Sequence, residues 1–447
     1  MTKVNICQSI FHRARGPRHP ELVEGPVILS WSKGQTLPGI QYAGPRKRPE
    51  ATVPDFQSGV HFLQIPGPTN VPERVLRAID RATIDHRGPG FAAMALAIQE
   101  QLRPVFATAQ PVVVYAASGT GAWEAALVNT LSPGDRVLMV ETGQFAALWC
   151  KLAGRLGLDV ELIPGDWRHG VDPDAIAERL SADTAHAIKA VAVVHNETST
   201  GVTSNVAGVR AAIDRAGHPA LFFVDTVSSL ASIDYRHDEW GVDVTVGGSQ
   251  KGLMLPPGLA FNAISEKALA ASRTARLPRA YWAWDDMLAA NRDGFFPYTP
   301  ATNLLYGLRE ALAMLHEEGL TNVFARHARL GEATRRAVRG WDLEILALDP
   351  REYSNTSTAI LVPDGVDADA LRATILERFN LSLGTGLGKV KGKVFRIGHL
   401  GSLNELMLAG ALCGVQMGLD VAGIPHGDGV SPALAYLASP SGVLAAV

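Results

Sequence analysis

The sequence is short of cysteine and of long apolar runs, and each shortage argues against a class of protein. Its three cysteines in 447 residues (Cys7, Cys150 and Cys413) are odd in number and far apart. That argues against a disulfide framework and suits a reducing cytosol. They make no zinc pattern, and the thirteen histidines show no H-E-x-x-H or comparable ligand spacing, so no metal site is expected. No apolar stretch reaches the roughly eighteen residues that span a bilayer. No apolar core follows a basic start, as a signal peptide requires. A net charge of −3 gives no electrostatic reason to expect nucleic acid or an acidic membrane as partner. The G-x-G-x-x-G fingerprint and the Walker lysine are both missing, which disfavours nucleotide binding. Internal repeats are absent too. Without a secretory signal, the sequon Asn196-Glu-Thr198 is read as chance.

The composition, 47% hydrophobic and 19% charged, is that of a soluble globular enzyme, and the length allows two or three domains. Residues 1–60 stand apart, mixing Pro, Gly, Arg and isolated hydrophobics with no period of 2 or 3.6. Glu21, Glu24 and repeated prolines spoil the amphipathic helix of a transit peptide. The stretch is expected to be a disordered extension, or residues upstream of the true start.

From His61 strand and helix patterns alternate. Phe62–Asn70 is extended and ends in a Pro/Gly turn. Helical spacing follows from Val71 to about Ala82, and over Ala92–Leu102 up to a stop at Pro104. A strand from Pro111 then leads into a turn, Ser118-Gly119-Thr120-Gly121, and a helix from about Ala122. Free N–H groups and the positive dipole end at that helix start make an anion site, although a plain βα connection looks the same. Strands are predicted at Arg136–Val140, Val160–Ile163, Ala190–His195 and Leu259–Ile264, with others ending at Asp225 and Val246. The helices between them are Gln144–Leu156, Pro173–Leu180 behind Asp172, and Val206–Ala216. Such alternation implies an α/β fold with a mostly parallel sheet covered on both faces. Ligands in such sheets collect at the carboxyl ends of the strands. Ser118, Asn196, Thr198, Asp225 and Lys251 all fall just after predicted strands and should converge.

Past Glu266 the pattern changes. Arg279–Asp285 and Asp293–Pro300 are aromatic, proline-punctuated loops. Leu304–Glu318 is a helix rich in Leu and Ala that links two domains. Beyond about Thr321 come a helix, strands at Leu343–Leu346 and Thr358–Val362, and a helix at Ala368–Phe379 capped by Asp367. Phe395–Leu400 and a helix near Glu405–Leu419 complete a smaller α+β unit. The tail from Gly423 is rich in Gly, Pro, Ser and Ala and is left unassigned.

The chemistry centres on Gly247-Gly248-Ser249-Gln250-Lys251, a polar turn directly after the valine-rich run Val242–Val246. A lysine at a sheet edge can be desolvated, which lowers its pKa and makes it nucleophilic. On its own Lys251 reads first as an ordinary solvated side chain. About one βα unit upstream, however, Asp225 ends the apolar run Ala220–Val224. A carboxylate and a lysine at neighbouring strand ends suit a pyridoxal phosphate enzyme, with the aspartate facing the pyridine nitrogen.

From about Phe62 to about Leu419 the chain resembles the aminotransferases related to alanine–glyoxylate and serine–glyoxylate aminotransferase. The stretches that carry the resemblance are Ile65-Pro-Gly-Pro-Thr69, Ser118-Gly-Thr-Gly-Ala-Trp-Glu124, His195-Asn-Glu-Thr-Ser-Thr-Gly201 and Val224-Asp-Thr-Val-Ser-Ser229. Further along come Gly248-Ser-Gln-Lys-Gly252 with Pro256-Pro-Gly258, Tyr298-Thr-Pro300 and Phe395-Arg-Ile-Gly-His399. The Gly-Thr-Gly-Ala-Trp-Glu form is similar to the serine–glyoxylate branch.

The resemblance implies a fold-type I, pyridoxal 5′-phosphate-dependent homodimer. Lys251 would bond to the cofactor and carry the proton, and Asp225 would pair with the ring nitrogen. Ser118, Gly119, Thr120 and Gln250 would hold the phosphate, with Tyr298 and Thr299 reaching it across the dimer interface. Phe145 would stack on the ring, unless it is plain helix core, and Thr198 would bond near the phenolic oxygen. Arg396 would grip the substrate carboxylate, or else form a structural salt bridge at a hinge. Trp282 and Trp284 either shape the pocket or pack a domain interface. The organisation implied is an extension over 1–60, a cofactor-binding domain over 61–318, a small domain over 319–422 and a tail over 423–447. The implied reaction moves the amino group of L-serine or L-alanine to glyoxylate. The alternatives are pyruvate-linked transamination, desulfuration or elimination on the same scaffold, or a catalytically silent binding protein.

Overall fold

The computed structural model describes residues 58–439, so the expectation for the first sixty residues falls almost wholly outside it. The chain begins with β1 (Phe62–Gln64), α1 (Glu73–Ile79) and α2 (Pro89–Phe106). Next come β2 (Val112–Tyr115), α3 (Gly119–Thr130), β3 (Arg136–Val140), α4 (Gln144–Arg155), β4 (Asp159–Ile163) and α5 (Pro173–Ala182). After β5 (Ile188–Val194) stands a short hairpin of β6 (Asn196–Glu197) and β7 (Val202–Thr203). Then come α6 (Val206–Arg215), β8 (Leu221–Asp225), β9 (Val244–Gly248), β10 (Ala260–Ile264), α7 (Glu266–Ser272) and α8 (Trp284–Asn291). The long α9 (Thr302–Glu318) and α10 (Leu320–Gly340) lead to β11 (Glu344–Ile345), β12 (Ser357–Leu361) and α11 (Ala368–Phe379). The last elements are β13 (Leu381–Thr385), β14 (Val394–Gly398), α12 (Glu405–Val421) and α13 (Val430–Ala438).

Seven strands form the first sheet in the order β2-β10-β9-β8-β5-β3-β4. From β9 to β4 every neighbouring pair is parallel, and β10 runs antiparallel to both of its neighbours. All residues of β2, β8, β9 and β10 are buried, as both-face coverage requires. Strand alternation divides the core. Phe223 packs with α3 and Trp149 on one face, while Phe222 and Val224 pack with α5 and α6 on the other. The helices start where side-chain oxygens can take up free amides. Asp172 accepts from Asp174 N at α5, and Asp367 accepts from Asp369 N at α11.

The second sheet has the order β1-β13-β14-β12-β11 and is covered by α10 to α13. Phe62–Gln64, placed by the sequence with the large domain, hydrogen-bonds in parallel to β13 as an edge strand of this second sheet. Two expectations need correction. The helix expected to stop at Pro104 continues to Phe106, because a proline in the last turn forfeits a single amide bond and the chain closes at Ala107 in the left-handed region. The tail left unassigned contains α13, whose Ala433 and Leu437 are buried in the second core and whose Tyr436 ring lies 4.4 Å from the Arg336 guanidinium. Its high alanine content is that of a helix lying close against its neighbours.

Candidate active site at the carboxyl edge of the seven-stranded sheet

The carboxyl ends of β2, β5, β8 and β9 open on one side of the sheet, where the chain leaves each strand as a loop or a helix start. Ser118, Gly119, Thr120, Phe145, Thr198, Asp225, Gln250 and Lys251 all line one cavity of about 250 Å³ there. Asn196 and Trp123 line it too. Tyr298, Thr299 and Arg396, the other residues named from the sequence, are not in its wall.

The anion end is the start of α3. Ser118 occupies the cap position in an extended conformation, yet its hydroxyl does not cap the helix. Its carbonyl accepts from Gly121 N and Ala122 N, leaving the first-turn amides of Gly119 and Thr120 directed outward. Gln250 faces the same end, and its Oε1 is buried without a partner. Free amides, hydroxyls and an uncommitted side-chain amide at the positive end of a twelve-residue helix fit a phosphate group.

At the other end Asp225 closes β8. Its Oδ1 accepts from Val227 N at 2.7 Å and its Oδ2 from Trp123 Nε1 at 2.9 Å. Burial pushes the carboxyl up to about 7. The two donors oppose that, Glu197 adds to it, and the Lys251 charge opposes it least of all. A cationic ring nitrogen placed against this carboxylate would offset its burial, so the group expected from the sequence fits here as well.

Lys251 stands three residues beyond β9. Its Nζ donates to the Pro66 carbonyl, and its own carbonyl accepts from Thr69 Oγ1 at 3.2 Å. The Ile65–Thr69 loop therefore lies directly over the lysine. Gly67 has φ +96°, and a Cβ there would come within 2.6 Å of Lys251 Nζ, so glycine is required on both counts. Burial, joined by repulsion from Arg396 and opposed by Asp225, lowers the amine to about 8. An unprotonated amine is thereby accessible near neutral pH.

Arg396, on β14, donates from Nη1 to the Thr198 carbonyl at 2.7 Å and from Nε to the Thr385 carbonyl at 2.8 Å. It forms no ion pair with a described residue, so the salt-bridge alternative is not what holds it. Burial lowers its guanidinium to about 10, with Glu197 opposing. Phe145 is half-buried on α4, both lining the cavity and packing on the first core. Trp284 is core, donating to the Tyr115 hydroxyl at 2.8 Å, and Trp282 bonds Glu124 Oε1 at 3.1 Å beside the start of α3. Neither enters the cavity wall. Tyr298 stacks on Tyr281 at 4.2 Å with its hydroxyl buried and unpartnered, while Thr299 is exposed.

Two residues were missed as individuals, although both lie within the motifs that carry the resemblance. Trp123 reaches Asp225 from α3. Glu197, fully buried on β6, accepts from Phe145 N and Ala146 N at 3.1 Å, and from Ser199 N at 3.1 Å and Ser199 Oγ at 2.6 Å. It caps α4 from across the hairpin. Gly143 makes room for it, since a Cβ there would lie 2.5 Å from Glu197 Cγ. The only sequence signal was a glutamate in an otherwise polar, uncharged run.

The family model described as aminotransferase class-V matches residues 61–391. Serine–glyoxylate aminotransferase of Methylorubrum extorquens is 52% identical over 387 residues, which are 85% of this chain and 96% of the relative. L-aspartate–glyoxylate aminotransferase of Paracoccus denitrificans is 47% identical over 372 residues, 83% of this chain and 94% of the relative. Among solved structures, ureidoglycine–glyoxylate aminotransferase from Bacillus subtilis superposes with a TM-score of 0.80 at 26% identity, covering 86% of this chain and all of its own (100%).

Proposed function

Because the chain belongs to the class-V aminotransferases, fold-type I enzymes that use pyridoxal 5′-phosphate, we propose that it moves the amino group of a small amino acid to glyoxylate. The products are glycine and a 2-oxo acid. L-Serine is the leading donor, ahead of L-alanine, and the relatives that act on serine or aspartate with glyoxylate support this acceptor. The observation that carries the reading is Lys251 and Asp225 buried in the wall of one cavity whose other end is the open start of α3.

Bound there, the cofactor supplies an electron sink for negative charge developing at the substrate Cα. The protein does the rest. The α3 amides, Ser118, Thr120 and Gln250 hold the phosphate, and Asp225 keeps a proton on the ring nitrogen. Lys251, its amine lowered to about 8, would take the proton from the substrate Cα and deliver it to the C4′ carbon of the cofactor. Arg396, with its Nη2 bonded to no described residue, offers the fork that would orient a substrate carboxylate. Phe145 would lie against the ring and Thr198 near its phenolic oxygen.

A homodimer is part of this reading. The unpartnered Tyr298 hydroxyl and exposed Thr299 support a role for this loop at a partner copy's phosphate. The cytosol is the proposed compartment, supported by free Cys150 and Cys413, and no described helix is long and apolar enough to cross a membrane. Desulfuration, which needs a mobile reactive cysteine, is disfavoured because Cys150 and Cys413 lie on helices α4 and α12 and neither lines the cavity. An absorbance spectrum tests the whole scheme. The cofactor's visible band should bleach with L-serine and return with glyoxylate, and L-alanine and L-aspartate rank as donors by the same assay. A band that ignores every amino acid would move the chemistry to another reaction. No band after incubation with the cofactor would favour a silent binder.

A further inference from the structure

Trp123 lies four residues after Gly119, one turn inside α3. The helix whose start forms the anion end thus also carries an indole to the opposite end of the cavity. That indole is 4% exposed and stacks on the fully buried Trp149, with centroids 5.8 Å apart and planes 12° from parallel. Held in this way, its Nε1–H donates to Asp225 Oδ2. The other carboxylate oxygen is taken by a main-chain amide, so among the described residues Trp123 is the one side chain that orients this aspartate by a hydrogen bond.

Resting on the cofactor site proposed above, we infer that Trp123 is a positioning residue for Asp225. Its indole N–H fixes the carboxylate toward the cationic ring nitrogen and sets the pH range over which the site retains its cofactor.

The charges facing Asp225 are few. Glu197 from β6 opposes ionisation and Lys251 beyond β9 favours it, while Arg396 acts on those two rather than on Asp225. His195, next in chain to β5, turns its ring to Ser229 Oγ at 2.9 Å. Glu124, beside Trp123 on α3, is engaged with Trp282. Burial pushes the carboxyl up and the Val227 and Trp123 hydrogen bonds pull it back to about 7, so removing the one side-chain bond shifts its state at neutral pH.

The test is cofactor affinity of the full-length apoprotein, measured by titration calorimetry from about pH 5.5 to about pH 9. In the unaltered protein the Kd for pyridoxal phosphate should weaken about tenfold per unit below a midpoint near 7. Trp123→Phe keeps the ring and removes the N–H. It should raise the midpoint by about one unit, which weakens Kd about fivefold at about pH 7 and about tenfold well below it, with little change at the alkaline end. Trp149→Phe, which leaves the indole N–H in place, should leave the midpoint where it was. An unmoved midpoint in Trp123→Phe overturns the inference and leaves the cofactor site standing. A protein that binds no pyridoxal phosphate at any pH overturns the site itself. Should Trp123→Phe fail to fold, the indole ¹H–¹⁵N resonance of Trp123 in the unaltered apoprotein decides. It must titrate with the Asp225 midpoint, and a pH-independent resonance overturns the inference.

Discussion

Burial acts on Lys251 and Asp225 in opposite senses, lowering the amine to about 8 and raising the carboxyl to about 7. Each group is brought toward the neutral range by the loss of water rather than by a close ion pair. For Asp225 the folded value lies above the unfolded 3.8, so between these values the native state binds the extra proton. Its contribution to stability is therefore fully present below the unfolded value and lost as pH rises through the folded one. Supplying a cationic partner should relieve that loss. The rise in Tm on adding pyridoxal phosphate is expected to be larger at about pH 8 than at about pH 5.5, measured by calorimetry. An equal rise at both would remove Asp225 from the cofactor's nitrogen. Lys251→Ala should abolish the visible cofactor band and transamination while leaving the far-ultraviolet circular dichroism unchanged. Wild-type turnover in that variant would refute the assignment of Lys251.

Among the elements, the β6–β7 hairpin does more than connect β5 to α6. Through Glu197 and Ser199 it supplies the acceptors that the start of α4 lacks locally, where Gly143 has no side chain to offer. Phe145 is held at its place in the cavity wall by that cap. Glu197→Ala should leave three amides and a hydroxyl without acceptors. The relief of a buried carboxylate offsets part of this, for a net loss of about 2–3 kcal/mol in urea unfolding. A loss within about 0.5 kcal/mol would mean that water replaces the carboxylate. This is also where the sequence was least legible. The α5 and α11 caps could be read because Asp172 and Asp367 sit directly before their helices. The α4 cap comes from more than fifty residues away, and no local pattern announces it.

In the whole molecule the two sheets meet over the lysine. β1 pairs with β13 in the second sheet and runs on into the Ile65–Thr69 loop that covers Lys251, itself delivered by the first sheet. Arg396 makes the same crossing from β14 to the Thr198 carbonyl. Arg396→Lys keeps the charge but cannot span both carbonyls and a carboxylate. It should raise KM for L-serine by about 10–100-fold with a smaller fall in kcat, read from steady-state kinetics. A change confined to kcat would place Arg396 away from the substrate carboxylate. The sequence by itself determined the α/β alternation, most helix starts, and the set of strand-end residues that converge on one cavity. Those features come from period, β-branched runs and capping residues, all local properties of the chain. Only the tertiary structure decided that β1 leaves the first half of the chain for the second sheet, that Trp123 grips Asp225, and that Glu197 holds the start of α4. Each of these is a contact between residues far apart in sequence, chosen by which buried donor finds an acceptor once the sheets have packed, and no local pattern encodes that choice.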